Sequence, residues 1–221
     1  MLKVNRLKNL YEGPLPPMVL TDYDAMSKFL SSGAQRCKSS GRNFDLFLDW
    51  AIHALLASLT SDSASRIFLP KTKTGPFEMD DLIPISGLVP SGKKRIQLQE
   101  VSLIAPVWNN SDLESALEAF YDSGFADVKL EQSFGGVYIE ELRLAIIDSP
   151  ADVSVPYVLR TWNRGSVELD SFKLKDLEPQ LTTDGDNWYY QEDGEEISEP
   201  VLEPRMAALY NCALRRYNST V

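Results

Sequence analysis

The spacing of apolar and polar residues predicts two helices in the first quarter of the 221-residue chain. The segment "TDYDAMSKFLSSG" predicts a short helix, with Thr21 or Asp22 as its cap and Gly33 as its end. The next segment, "GAQRCKSSGR", has the composition of a flexible loop. Asn43 then caps a second helix that runs to about Leu59. Apolar residues cover nearly its whole circumference, so we expect this helix to be central in the fold.

Beyond the second helix, alternating and β-branched residues predict strands and hairpins. "RIFLP" predicts a short strand, and "KRIQLQEVSLIAPVW" a longer one with a bulge near Gln99-Glu100. "ADVKLEQ" and "VYIEELRLAIID" flank "SFGG" and predict one hairpin, while "PYVLRTW" and "SVELDSF" predict another. The pairs Asp184-Gly185 and Asp193-Gly194 bracket "NWYYQE" as a further strand.

Two further helix starts complete the predicted architecture. Residues 111–114, "SDLE", have the form of a capping box and predict a mid-chain helix that ends at Gly124. Pro204, directly behind Glu203, begins a last helix. The fold class is therefore α+β: a mainly antiparallel sheet built from hairpins, on which N-terminal helices, a mid-chain helix and a C-terminal helix pack. Long crossover helices are largely missing between the strands, which argues against a doubly wound fold.

The predicted organisation is an N-terminal arm, residues 1–20, followed by a single α+β domain, residues 21–221. Within that domain, residues 21–62 form a helical subregion and residues 63–221 a sheet-rich subregion that includes the C-terminal helix. The content of 43% apolar and 24% charged residues is that of an ordinary globular protein. The sequence leaves open whether the helical subregion docks on the sheet.

Composition also bears on the compartment. The longest apolar segment, residues 44–59, carries Asp45, Asp49 and His53 and is shorter than the roughly 20 apolar residues of a membrane span. The first residues, "MLKVNRLKNLYEGPLPP", lack the apolar core of a secretion signal. Cys37 and Cys212 are far apart and form no C-x-x-C motif, so we expect two free thiols. We therefore expect a cytoplasmic protein that does not enter a membrane.

The net charge of −10 comes from one part of the chain. No Lys or Arg occurs between Lys175 and Arg205, while ten acids do: Asp176, Glu178, Asp184, Asp186, Glu192, Asp193, Glu195, Glu196, Glu199 and Glu203. This surface would repel a phosphate backbone, which excludes nucleic acid as its ligand.

One segment suggests a nucleotide site. "GLVPSGKK", residues 87–94, has the spacing of a phosphate-binding loop, and the later "LAIID" ends in Asp148 as a magnesium-binding strand would. Lys94, however, occupies the position of the required hydroxyl, and the residues after it alternate as in a strand. An enzyme that uses carboxylates with a divalent metal or a nucleotide near residues 87–94 and Asp148 is therefore an alternative hypothesis.

Other acidic residues have weaker interpretations. Asp45, Asp49 and His53 fall on one stripe of a helix, where they form either a metal or acid–base site or simply its solvated side. Asp184, Asp186, Glu192 and Glu195 have the spacing of a calcium loop, but aromatics occupy two central positions of it. Glu140 and Glu141 are adjacent in a predicted strand and so would face opposite ways. We assign no catalytic residue, cofactor or metal ligand.

The leading hypothesis concerns the aromatic strand in the acidic region. Alternation places Trp188 and Tyr190 on one face and Tyr189 on the other, so one set should pack on the core and the other lie partly exposed among carboxylates. Either this forms a protein-binding patch, or all three aromatics are buried and the acids solvate an edge. The predicted partner-binding residues are Asp184, Asp186, Trp188, Tyr190, Glu192, Asp193, Glu195 and Glu196.

Such a patch predicts an interaction protein rather than an enzyme. Its partner would be a basic protein, and its class an inhibitor, a neutralising or immunity protein, a chaperone-like protein or a virus-encoded accessory protein. A structural subunit of a larger assembly is a further alternative, and the sequence leaves the oligomeric state open.

Overall fold

The computed structural model describes residues 23–41, 43–65, 79–85, 87–105, 135–148, 166–192 and 194–217. These ranges contain four helices: α1 (Tyr23–Ser39), α2 (Phe44–Ser65), α3 (Leu174–Leu177) and α4 (Pro204–Tyr217). Their strands are β1 (Gly92–Gln97), β2 (Ser102–Ile104), β3 (Gly135–Ile139), β4 (Leu144–Asp148), β5 (Ser166–Phe172), β6 (Leu181–Thr183), β7 (Asn187–Glu192) and β8 (Glu195–Pro200). The pairing is mostly antiparallel, which confirms the predicted α+β class.

Several predicted elements lie outside the described residues. These are the arm at residues 1–20, the strand "RIFLP", the mid-chain helix at residues 111–124, and the strands "ADVKLEQ" and "PYVLRTW".

Helices α1 and α2 form an antiparallel pair at the start of the described chain. The prediction that Gly33 ends the first helix is wrong, as is the loop predicted after it, because α1 continues to Ser39. Gly33 instead lies against the ring of Phe47, where a β-carbon would overlap the ring atoms. The predicted cap of α2 is confirmed, since Asn43 Oδ1 accepts a hydrogen bond of 2.9 Å from the N–H of Asp45.

The larger sheet has the strand order β1-β5-β3-β4-β2. The prediction of one long strand in "KRIQLQEVSLIAPVW" is wrong, because a 3₁₀ turn at Leu98–Glu100 divides it into β1 and β2. Beyond the break, β2 pairs with β4, whereas β1 pairs with β5. The slip in alternation thus marks a crossing from one edge of the sheet to the other rather than a bulge, and the buried Leu98 anchors the turn.

The segment "VYIEELRLAIID" does not form the single strand that was predicted. A turn at residues 140–143 divides it into β3 and β4, which pair with each other in antiparallel register. The N–H of Arg143 donates a hydrogen bond of 3.0 Å to the carbonyl of Glu140 to close that turn. Glu140 and Glu141 therefore occupy a turn, not opposite faces of a strand.

The second sheet has the order β6-β7-β8 and is antiparallel. Its central strand is "NWYYQE", and α4 begins at Pro204, both as predicted. The hydroxyl of Tyr210 on α4 donates a hydrogen bond of 2.7 Å to the carbonyl of Leu181 on β6. One cluster of buried side chains includes residues of α2, α3, α4 and both sheets, so α2 docks on the sheet-rich part of the chain.

Candidate functional site

Strand β7 turns its aromatic residues in opposite directions, as the alternation predicts. Trp188 is only 1% exposed, and its ring meets that of Tyr210 edge to face at 5.6 Å. Tyr190, on the same side, is half-buried against the core. Tyr189 faces outward and is also half-buried. Trp188 was one of the predicted partner-binding residues, but its buried indole offers no surface to a partner.

The outward tyrosine is held by an acid of the preceding turn. The hydroxyl of Tyr189 donates a hydrogen bond of 2.7 Å to Asp184 Oδ2. Asp184 Oδ1 accepts hydrogen bonds from the N–H groups of Asn187, at 2.8 Å, and Asp186, at 2.9 Å. The Asn187 N–H and then the Tyr189 hydroxyl lower the pKa of Asp184, while the hydrogen bond to Asp184 raises the pKa of Tyr189. Asp184 is thus a fixed carboxylate that orients the phenol.

The glutamates of β8 lie on both sides of the sheet. Glu196 pairs in register with Gln191 and so shares the face of Tyr189, whereas Glu199 pairs with Trp188 on the opposite face. Glu195 and Glu196 are exposed, and Glu199 is half-buried. The side chains of Glu192 and Asp193 lie outside the described part of the chain. The glutamates therefore lie along strand β8, on both faces of the small sheet, rather than on one face of it.

That strand is an edge of the small sheet. Among the described residues, β8 pairs with β7 alone, so one row of its backbone N–H and C=O groups has no strand partner there. The turn that holds Tyr189 adjoins it, because the N–H of Val201 donates a hydrogen bond of 2.8 Å to the carbonyl of Asp186. We call this surface the acidic edge; it consists of Asp184, Asp186, Tyr189, Glu195, Glu196 and Glu199.

The segment at residues 87–94 leads into β1 and not into the helix that a phosphate-binding loop requires. Lys94 Nζ lies 2.6 Å from Glu140 Oε2, and the Ser171 hydroxyl donates a hydrogen bond of 2.9 Å to Glu140 Oε1. Asp148 is on β4, three strand positions from β1, a distance of about 14 Å at the usual strand spacing. The structure does not bring the two parts of the nucleotide hypothesis together.

The helical stripe of Asp45, Asp49 and His53 also lacks a convergent site. Asp49 Oδ1 accepts a hydrogen bond of 2.7 Å from Arg216 Nε on α4, Asp45 lies 3.9 Å from the same guanidinium, and His53 is exposed. The residues with the spacing of a calcium loop do not converge either. Asp186 precedes the first residue of β7, whereas Glu195 pairs with its last residue, Glu192. In the parts of the chain that the structure describes, no three His, Cys, Asp or Glu residues are placed to hold a metal ion.

Neither cysteine forms a disulfide, which confirms the prediction of two free thiols. Cys37 is half-buried on α1, and burial of Cys212 on α4 raises its pKa to about 11. A buried thiol of this kind is unreactive at neutral pH. Within the described ranges, no helix combines the length and apolar character that crossing a membrane requires.

Sequence reasoning missed a second surface, on α1 and α2. Phe29, Leu46 and Trp50 are 47%, 69% and 54% exposed. The rings of Phe29 and Trp50 lie 6.0 Å apart, and Phe47 contacts both at 6.2 and 5.9 Å. The expectation that the apolar residues of α2 are buried everywhere except along one polar stripe is therefore wrong. We call Phe29, Leu46, Phe47, Trp50 and Ala54 the aromatic face; the spacing of Leu46, Trp50 and Ala54 was the signal for it.

Comparison of the chain with models of protein families, with curated proteins and with solved structures finds no match. The functional proposal therefore rests on the geometry and charge of these surfaces.

Proposed function

We propose that this protein is an interaction protein whose acidic edge binds a basic segment of a partner protein. The observation that carries the proposal is the position of Tyr189. Its ring faces outward from the small sheet, its hydroxyl bonds to Asp184, and Glu196 of the neighbouring strand β8 lies on the same face of the sheet. A fixed aromatic side chain among carboxylates combines an anchor with a charged rim, which is the usual anatomy of a protein-binding patch.

The electrostatics of the edge favour a cationic ligand. The chain between Lys175 and Arg205 contains no basic residue, so the acids of β8 and of the turn before β7 have no basic neighbour in sequence and give this surface a negative field. Such a field raises the association rate of a basic partner and excludes acidic ones. Acidic side chains on an edge strand also prevent two copies from pairing edge to edge.

The backbone of β8 offers a second means of recognition. An extended peptide can add to the free edge of a sheet, where main-chain hydrogen bonds supply affinity and flanking side chains supply specificity. On this edge, the exposed Glu195 and Glu196 would meet Lys or Arg side chains on both sides of an added strand. The partner segment is therefore an extended chain rich in Lys or Arg.

The proposed setting is the cytoplasm, because two unpaired cysteines suit a reducing compartment. There, an acidic binding protein of this size would act as an inhibitor, a neutralising or immunity protein, a chaperone-like protein or a virus-encoded accessory protein. The aromatic face supports a second candidate role, that of a subunit in an assembly.

The test is affinity capture from a lysate of the cells that produce the protein, with mass spectrometry to identify what is retained. Wild type is compared with a double variant, Glu195→Lys with Glu196→Lys, and with a matched control, Glu100→Lys with Glu168→Lys. Glu100 and Glu168 are also exposed, so both double variants change the net charge equally. The proposal predicts a basic protein that is retained by wild type and by the control and lost by the β8 variant. Equal retention by both double variants would contradict it.

A further inference from the structure

One hydrogen bond beside strand β8 shows which of its backbone groups face the free edge. The N–H of Val201 donates a hydrogen bond of 2.8 Å to the carbonyl of Asp186. In the register of β7 and β8, Asp186 and Val201 are therefore a hydrogen-bonded pair, and the adjacent pair of Asn187 with Pro200 is not. The position of proline agrees, because Pro200 has no N–H to donate to Asn187.

The remaining backbone groups of β8 follow from this assignment, because the two kinds of pair alternate along an antiparallel ladder. The N–H and C=O groups of Ile197 and Glu199 point toward β7, and those of Glu196 and Ser198 point away from it. Among the described strands, β7 alone pairs with β8, and Glu196 and Ser198 are both exposed. The free edge thus offers both backbone groups of these two residues, followed by the carbonyl of Pro200.

We propose, on the basis of the proposed function, that the acidic edge binds its basic segment by antiparallel strand addition, with hydrogen-bonded pairs at Glu196 and Ser198. Antiparallel pairing continues the pattern of the small sheet and is the more stable kind per residue. Pro200 limits the ladder at one end, since it cannot donate to an added strand. The bound segment is therefore short, about five residues that lie opposite Glu199 to Glu195.

The side chains of β8 define which residues this segment contains. Glu195, Ile197 and Glu199 share the face of Trp188, whereas Glu196 lies on the opposite face. Opposite charges directly across a ladder are favourable, and the half-buried Ile197 suits an apolar neighbour. From its N-terminus, the added segment should read basic, any residue, apolar, basic, basic.

A synthetic peptide with this pattern, acetyl-Gly-Lys-Thr-Val-Lys-Lys-Gly-amide, is the probe. In the proposed register its Thr lies opposite Ser198, so the N–H of Thr faces β8, whereas the N–H of Val faces away. Methylation of the Thr nitrogen should weaken binding at least about fivefold, because a hydrogen bond between the strands is lost. Methylation of the Val nitrogen is the matched control and should leave binding unchanged. Isothermal titration calorimetry at low salt measures each dissociation constant.

The same contrast can be made in the protein. Ser198→Pro removes one outward N–H and should weaken binding of the unmethylated peptide at least about fivefold. Ser198→Ala keeps that N–H and should bind the peptide like wild type. Pro200 already occupies an outward-facing position of the same strand, and circular dichroism verifies that Ser198→Pro is folded. The two methylated peptides test the proposal on wild type if that variant does not fold.

Three results would overturn strand addition: a peptide that wild type does not bind, equal binding of the two methylated peptides, or an oligomer of the chain alone that the peptide dissociates. The last result, seen by sedimentation velocity, would assign the edge to a second copy. The proposed function is tested separately, by loss of the captured partner in the double variant Glu195→Lys with Glu196→Lys. A partner lost by that variant, together with equal binding of the two methylated peptides, would leave the acidic edge in place and remove only strand addition.

Discussion

The carboxylate of Asp49 accepts two hydrogen bonds from the guanidinium of Arg216, at 2.7 Å from Nε and 3.2 Å from the terminal nitrogen. The pair joins the first third of α2 to the last turn of α4, two helices that both contribute side chains to the buried core. This bond raises the pKa of Arg216. It also gives Asp49 a structural partner, in place of the metal or acid–base role considered for it.

Asp49→Ala should lower the melting temperature by about 1 to 3 °C, because a partly exposed but well-aligned ion pair is lost. Asp45→Ala is the comparison: its carboxylate lies 3.9 Å from the same guanidinium and also faces the start of α2, so we expect a smaller loss that comes mainly from the helix terminus. Thermal unfolding followed by circular dichroism measures both. Equal losses in melting temperature for the two substitutions would show that the ion pair of Asp49 with Arg216 does not stabilise the contact between α2 and α4.

Tyr210→Phe should lower the free energy of unfolding by about 1 to 2 kcal/mol. The substitution leaves the ring in place but removes the buried hydrogen bond to the Leu181 carbonyl, which then has no donor from α4. Urea denaturation measures the loss. A Tyr210→Phe protein as stable as wild type would contradict the role given to this bond.

Gly33→Ala should destabilise the protein by about 1 to 3 kcal/mol, because the new methyl group overlaps the ring of Phe47. The direction is informative, since the same change in an exposed part of a helix stabilises by about 1 kcal/mol. Ser31→Ala, at an exposed site of the same helix, should be close to neutral. Denaturant melts of both variants provide the comparison, and a stabilised Gly33→Ala protein would mean that α1 and α2 do not approach as described.

Glu140→Gln should reduce stability at neutral pH and should matter less in acid. The hydrogen bond from Lys94, and then that from Ser171, lower the pKa of Glu140 below its ordinary value of 4.5. A lowered pKa gives stability that is present above the ordinary value and is lost as the pH falls through the lowered one. Melting temperatures of wild type and variant should therefore differ at pH 7 and converge in acid, as the pH falls from 4.5 through the lowered pKa of Glu140. A constant difference across that range would argue against the ion pair.

Local signals in the sequence predicted part of the fold. The Asn43 cap, the start of α4 at Pro204 and the strand between two Asp-Gly pairs depend on nearby residues, and all three are confirmed. Errors arose where distant contacts decide the structure. The role of Gly33 depends on Phe47, and the break at Leu98–Glu100 depends on which strands lie at the two edges of the sheet.

The candidate surface was predicted in its location but not in its detail. Alternation separated Tyr189 from Trp188 and Tyr190, yet only packing against Tyr210 shows that Trp188 is on the inner side. Likewise, the apolar residues around most of α2 predicted that they would be buried. That prediction failed because a single sequence does not show how many neighbouring elements cover a helix. The exposure of Leu46 and Trp50 follows from the tertiary arrangement alone.

The most direct test of the proposed function is the dissociation constant of the captured partner at low and high salt, for wild type and for the two double charge-reversal variants. Binding at the acidic edge predicts weaker binding at high salt, at least about a tenfold loss in Glu195→Lys with Glu196→Lys, and little change in Glu100→Lys with Glu168→Lys. A dissociation constant that is insensitive to salt and equal in all three proteins would contradict the account.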